Sequence, residues 1–191
     1  MNEKYRHLPL RSGVGLVILN NENKIFVAKR IDNPKNFWQM PQGGINKGED
    51  YYTAALRELK EETSIVSVKP IKEIEEKLTY ILPDHLIGII WKGKYKGQKQ
   101  KWFIMKFIGN DSEINIKTKH PEFLDWKWID PESLTDIAVH FKLEIYNSLV
   151  ISSYLDFFFT ATANKQSPRP SNINNTIPTL LLSSILIYIK S

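Results

Sequence analysis

The 191-residue sequence predicts an α+β fold in which a mixed β-sheet is sandwiched by helices. Three observations carry that expectation. Short runs rich in Val, Ile and Leu recur along the chain and mark strands. Two segments, about 50 to 63 and about 140 to 158, switch to helical periodicity. The strands surround these helices without regular β-α-β alternation, which separates the chain from doubly wound folds.

Taken in order, Gly13 to Leu19 (GVGLVIL) and Lys24 to Lys29 (KIFVAK) read as strands. Asn20-Asn21-Glu22-Asn23 between them is turn chemistry, so the pair is expected to form a hairpin. Residues 31 to 42, with Pro34 and Pro41, read as loop. From about Asp50 to Thr63 the pattern is helical, with Ala54, Ala55, Leu56 and Leu59 available to pack inward. Strands are expected again at Lys77 to Leu82, Leu86 to Trp91, Lys101 to Ile108 and Phe123 to Ile129. Phe141, Ile145 and Leu149 repeat every fourth residue, as do Tyr146, Val150 and Tyr154, which predicts the second helix. These elements make one domain over residues 1–160. Beyond it, Asn164 to Pro178 (NKQSPRPSNINNTIP) has linker composition. Leu180 to Ile189 is apolar but shorter than the roughly 20 residues of a spanning helix. Residues 161–191 are therefore expected to be a low-order appendage, with a peripheral membrane contact as the lesser alternative.

A composition of 42% hydrophobic and 25% charged residues excludes a wholly disordered or collagen-like chain. The absence of cysteine excludes disulfides, thiolate metal sites and a cysteine nucleophile, and suits the cytoplasm, the expected location. The first residues, MNEKYRHLPLRSG, lack the apolar core of a secretory signal. A net charge of +5 and a pI near 9.2 lean toward an anionic partner: nucleotide, RNA or a membrane surface. His7, His85, His120 and His140 show no metal-ligand spacing.

The chemistry concentrates in residues 43 to 65, GGINKGEDYYTAALRELKEETSI. At about 100° per residue, Glu58, Glu61 and Glu62 fall in one sector of the first helix. Glu58 and Glu62 are like charges at i,i+4, and Glu61 and Glu62 stand near the helix C-terminus, where the dipole disfavours anions. A cation against this face relieves the conflict, and hard divalent ions such as Mg²⁺ favour carboxylate oxygen. A solvated acidic face offset by Arg57 and Lys60 is the other reading. Gly43 and Gly44 tip the balance, because a glycine loop lets backbone approach phosphate or metal closely.

Gly43, Glu49, Arg57-Glu58-Leu59 and Glu61-Glu62 with Ile65 resemble the Nudix box, with every spacing intact. The resemblance implies a hydrolase of nucleoside diphosphates linked to another group, an α/β/α Nudix sandwich with a mixed central sheet, and Mg²⁺ as cofactor, with Mn²⁺ or another divalent ion as the alternative. It implies Glu58, Glu61 and Glu62 as metal ligands, joined by Gly43 through its backbone. Glu122 is a fourth ligand or the base that activates water, and Glu61 or Glu62 is the alternative base. Arg57 orients the glutamates through charge-assisted hydrogen bonds. Ser64 stands where the box pattern has glycine, so the helix end must adopt a left-handed conformation at a cost of about 1 kcal/mol.

The resemblance extends over about residues 11 to 158. Trp38-Gln39-Met40-Pro41-Gln42-Gly43-Gly44-Ile45, Gly97-Gln98-Lys99-Gln100-Lys101-Trp102-Phe103, and Pro121-Glu122-Phe123 with Trp126 and Trp128 are similar to the RNA pyrophosphohydrolase and dinucleoside polyphosphate hydrolase group. By that similarity, Arg11 and Arg30 contact substrate phosphates, and Phe141 and Lys142 lie near the 5′ base and phosphates. Phe141 equally fits the apolar stripe of its helix. The stretch Trp91-Lys92-Gly93-Lys94-Tyr95-Lys96 through Lys101-Trp102 interleaves lysines with aromatics, as an RNA-contacting surface does, which makes Lys101 a candidate substrate-binding residue, and a solvated hairpin is the plainer reading. Expected partners are thus 5′-triphosphorylated RNA or dinucleoside polyphosphates, with no stable protein partner and no transmembrane span. The reading of another class is a non-catalytic nucleotide- or RNA-binding regulator.

Overall fold

The computed structural model describes residues 2–32, 37–150 and 152. The strands are β1 (Leu10–Leu19), β2 (Ile25–Arg30), β3 (Trp38–Gln39), β4 (Gln42–Gly44), β5 (Val68–Glu73), β6 (Leu78–Ile81), β7 (Gly97–Phe107) and β8 (Phe123–Ile129). Helix α1 (Tyr51–Thr63) follows β4, and a short α2 (Leu134–Ile137) follows β8. The eight strands form one sheet along β3-β2-β1-β7-β5, with β4 on β1, β6 on β7 and β8 on β2. The sheet is mixed, as expected: β1 runs parallel to β7 from Leu10↔Gly97 to Leu19↔Lys106, and its other ladders are antiparallel. The β1–β2 hairpin forms, and the Asn20 side chain closes its turn by accepting from the N–H groups of Glu22 and Lys24.

One face of the sheet carries Val14, Leu16, Ile18, Phe26, Ala28, Phe103, Met105 and Phe107, and Ala54, Ala55 and Leu59 of α1 close over it. Trp126 stacks on Phe26 at 5.7 Å and Trp128 meets it edge-on at 5.6 Å. On the opposite face the fully buried Trp102 meets Tyr146, which comes from the second helical segment. That segment begins as a 3-10 turn at His140–Lys142 and is helical through residues 143–150. The rest of the expected helix is outside the described residues except for residue 152, which is helical, and so is all of 161–191. The described residues up to Tyr146 belong to one compact unit, and the described residues from Asn147 on are assigned to another.

Three local expectations are corrected. The stretch read as loop contains β3, and the two glycines that follow it lie in β4, because Trp38 pairs with Lys29 and Gly43 with Val14 across ladders no local pattern announces. Pro41 has no donor to lose there, and its carbonyl accepts from the Leu16 N–H. β5 escapes a local reading because VKPIKE carries a proline and three charges. It is mostly exposed, lies at the end of the strand order and bulges between Pro70 and Lys72, where proline is tolerated. Residues 86 to 91, expected as a strand, are instead successive turns: Leu86 donates to Pro83, and Ile89 and Ile90 to Leu86. The apolar run there does not alternate between core and solvent, since Ile87 is buried and Ile89 is 74% exposed. Trp91 and Lys92 then take φ of 52° and 57°, a left-handed backbone costing roughly 1–2 kcal/mol for each L-residue.

Helix α1 begins on Asp50, whose carboxylate accepts from the N–H groups of Tyr52 and Thr53 and from the Thr53 hydroxyl. It ends on Ser64 at φ 64°, ψ 0°, with its N–H donating to the Lys60 carbonyl. The hydroxyl that replaces the usual glycine donates to the Asn115 carbonyl at 3.1 Å, and the Asn115 N–H donates back to Thr63. Glu113 continues the clamp, accepting from the N–H groups of Val66 and Ser67. Removing the left-handed strain and losing the hydroxyl bond nearly cancel, so Ser64→Gly stays within about 1 kcal/mol of the parent in urea unfolding. Ser64→Ala keeps the strain, loses the bond and is destabilised by about 1 kcal/mol.

Candidate active site

The site is built on a match of two repeats. In a strand, N–H groups two residues apart point the same way about 6.6 Å apart, and four residues of α-helix advance about 6 Å. The N–H groups of Gln42 and Gly44 therefore meet carboxylates four residues apart on α1. Gly44 donates to Glu58 Oε1 at 3.0 Å and Gln42 to Glu62 Oε2 at 3.1 Å. Between them Gly43 must lack a side chain, since a Cβ there would sit 1.9 Å from the Glu58 carboxyl carbon.

Arg57 completes the fastening. A guanidinium has five N–H donors, and all five are used. Nε and Nη2 grip Glu49 at 2.7 and 2.8 Å, Nη1 donates to Glu58 at 2.9 Å and Glu61 at 3.0 Å, and Nη2 reaches the Gly44 carbonyl at 2.9 Å. These bonds, with the Asn46 N–H, hold the Glu49 carboxyl down at about 2. Glu58 is pushed the other way by burial, against the pull of Arg57. Glu62 is 3% exposed and raised well above the usual carboxylate range, first by burial and then by the charges of Glu122 and Glu58. Glu61 is largely exposed.

Glu122 stands at the edge of this group, half exposed, and Arg30 Nη1 donates to it at 2.9 Å. The same guanidinium takes both oxygens of Asp32 at 2.7 Å, a partner that no motif in the sequence marks. Among the described residues, no three carboxylate or imidazole groups are gathered closely enough to enclose an ion, and Arg57 and Arg30 occupy the oxygens of Glu58, Glu61 and Glu122. The donor chemistry nevertheless fits a hard divalent cation, because Glu58 and Glu62 are inward-facing anions whose ionised state the protein itself undercompensates.

The remaining predicted residues separate into two sets. Arg11, Phe141 and Lys142 are on the site's side of the molecule. The Arg11 guanidinium lies over the Trp91 ring, and a Cβ on Gly44 would fall 2.1 Å from its Nη2. Lys142 is buried, donates to Gln39 Oε1 at 3.4 Å and lies over the Tyr80 ring. Burial first and Arg30 second pull its ammonium down to about 7, against the attraction of Glu62 and Asp32. Phe141 packs on Tyr80 and lines a cavity of about 600 Å³ with Ile81, Leu82, Pro83 and Asp84. Lys101 is not brought into this group: it pairs with Glu73 at 2.8 Å and the Glu75 carbonyl at 2.9 Å. Nor do residues 91 to 102 form one lysine–aromatic surface, because strand alternation in β7 sends Trp102 into the core.

Sequence reasoning missed an amide network behind the glycines. Tyr80 donates to Gln98 Oε1, and Gln98 Nε2 donates to the Gly43 carbonyl. Gln100 Nε2 donates to both Gln42 and Gln98. The signal that could have found it is polar Gln98 and Gln100 at alternate positions of a strand central enough to be buried.

A buried Glu62 and a half-buried Glu58, with arginines at their rim, suit an enzyme that hydrolyses anionic substrates with the help of a divalent cation. The chain belongs to the NUDIX domain family, whose model matches residues 9–149. It is 65% identical to an RNA pyrophosphohydrolase of Pelagibacter ubique over 78% of this chain and 94% of that one. A second RNA pyrophosphohydrolase, from Dinoroseobacter shibae, is 47% identical over 74% and 90%. Among solved structures, a C. elegans Ap4A hydrolase binary complex superposes with a TM-score of 0.57 at 25% identity, covering 78% of this chain and all of that one.

A carboxyl raised in the folded state is most stable protonated, so metal-free stability falls as pH rises from the ordinary carboxylate range through the raised Glu62 value. Mg²⁺ binds the ionised form, and its stabilising increment in thermal unfolding is expected to grow across the same window. Glu62→Gln removes both effects and, at pH 8 with EDTA, unfolds at a higher temperature than the parent. Arg57→Lys cannot replace the five-bond pattern and lowers stability by about 2 kcal/mol or more in urea unfolding.

Proposed function

We propose that this protein is an RNA 5′-pyrophosphohydrolase, converting the 5′-triphosphate end of RNA to a monophosphate and releasing pyrophosphate. The observation that carries the reading is the pair of inward-facing carboxylates, Glu58 and Glu62, fastened to the backbone of β4 with Arg11 beside Gly44. The relatives named RNA pyrophosphohydrolase, matched over nearly their whole length, support RNA as the substrate.

A divalent cation, Mg²⁺ first, supplies charge neutralisation on the phosphate oxygens when bound. Glu58, Glu61, Glu62, Glu122 and the Gly43 carbonyl would hold it. Arg57 keeps Glu58 and Glu61 aimed, while Arg11 and Arg30 take the phosphates and Phe141 and Lys142 the 5′ nucleotide. The water oxygen bonds to phosphorus as the anhydride bond breaks, and the water proton passes to a carboxylate. Glu122, half exposed and held by Arg30, is a candidate for that carboxylate, with Glu61 or Glu62 as the alternative. Residues 1–160 are the catalytic domain in this reading, with 161–191 an appendage, and the site of action is the cytoplasm, where RNA 5′ ends are made. No described helix is long and apolar enough to cross a membrane.

A second reading, hydrolysis of dinucleoside polyphosphates, is favoured by the likeness to the Ap4A hydrolase structure. The protein with Mg²⁺ and 5′-triphosphorylated RNA is expected to yield pyrophosphate and monophosphorylated RNA, at a higher kcat/KM than diadenosine tetraphosphate. The reverse order selects the second reading, and no turnover of either leaves only a binding protein. Glu58→Gln is expected to cut turnover by more than the roughly 10- to 100-fold typical of residues that merely support metal ligands.

A further inference from the structure

We infer that Trp91 is a positioning residue for substrate phosphates, acting through Arg11. The inference rests on the reading that Arg11 contacts those phosphates, and it begins from how differently the three arginines of the site are held. Arg57 spends all its donors on the protein, and Arg30 is gripped by Asp32 and Glu122. Among the described residues, no carboxylate pairs with Arg11. Its guanidinium instead lies over the Trp91 ring, 5.5 Å from the ring centroid. A cation–π contact leaves the N–H edge of a guanidinium unspent, and that edge is what binds phosphate.

Two further observations make the contact a built feature. The guanidinium also lies against Gly44, where any Cβ would strike Nη2, so it is confined beside the residue whose N–H anchors Glu58. Trp91 and Lys92 both adopt left-handed backbone in the turn that carries the indole, an arrangement bulky residues rarely keep without compensation. The loop is pinned to the segment that leads into the strand carrying Arg11: Lys96 donates its N–H to the Pro9 carbonyl and its ammonium to the Arg6 carbonyl, while Tyr95 packs edge-on against Trp91 at 6.1 Å.

The test is a mutant cycle on the full chain with 5′-triphosphorylated RNA, following KM and kcat with Mg²⁺ and Kd in EDTA, where no turnover occurs. Trp91→Leu is expected to raise KM and Kd by roughly 3- to 10-fold, the scale of one cation–π contact, with kcat within about 2-fold of the parent. Trp91→Phe keeps a ring under the guanidinium and is expected to recover most of the loss. In an Arg11→Gln background, which itself raises KM, Trp91→Leu adds nothing further. A KM that Trp91→Leu leaves unchanged, or raises equally without Arg11, overturns the inference. If Arg11→Gln alone leaves KM unchanged, the assignment of Arg11 to phosphate fails, and the inference with it. Should Trp91→Leu lose its cooperative unfolding transition, Trp91→Phe against Trp91→His decides, since both fill the space and phenylalanine keeps the larger apolar π-face.

Discussion

The structure depends on the fastening of α1 to β4. Two backbone donors of a strand and two carboxylates of a helix share nearly the same spacing, and one arginine with no donor to spare ties both ends together. Without it, Glu58 and Glu62 would be adjacent anions on one helical face, close to the unfavourable end of the dipole. With it they are held inward, and the remaining electrostatic deficit is what a divalent ion can answer. The apolar contact of Ala54, Ala55 and Leu59 with the sheet sets how close the helix can come, so core and site are fixed by the same element.

The site is also a graded use of three arginines. Arg57 is structural, its donors closed. Arg30 is shared between an exposed aspartate and the glutamate at the site's rim. Arg11 is held by a ring face, with no hydrogen bond to a carboxylate among the described residues.

Much of this is legible in the sequence because its causes are local. The spacing of Glu58 and Glu62, the helical pattern from about Asp50 to Thr63, and the Val, Ile and Leu runs of β1 and β2 each declare themselves within a few residues. The missing elements have distant causes. β3 and β4 exist because β2 and β1 offer them ladders, and β5 because β7 does, so their own proline and charges mislead. Lys101 reads as a ligand because its neighbours suggest one, and only the sheet reveals Glu73 beside it. The turns at 86 to 91 fail for the opposite reason: an apolar run looks like a strand until burial is known residue by residue.

At the end of α1 a local signal is exchanged for a distant one. The usual glycine would close the helix from within its own segment. Here the stop is completed by Asn115 and Glu113, about fifty residues downstream, beyond three further strands. The last turn, which carries Glu61 and Glu62, therefore depends on how the 113–115 segment is seated and belongs to the long-range cooperative structure of the protein.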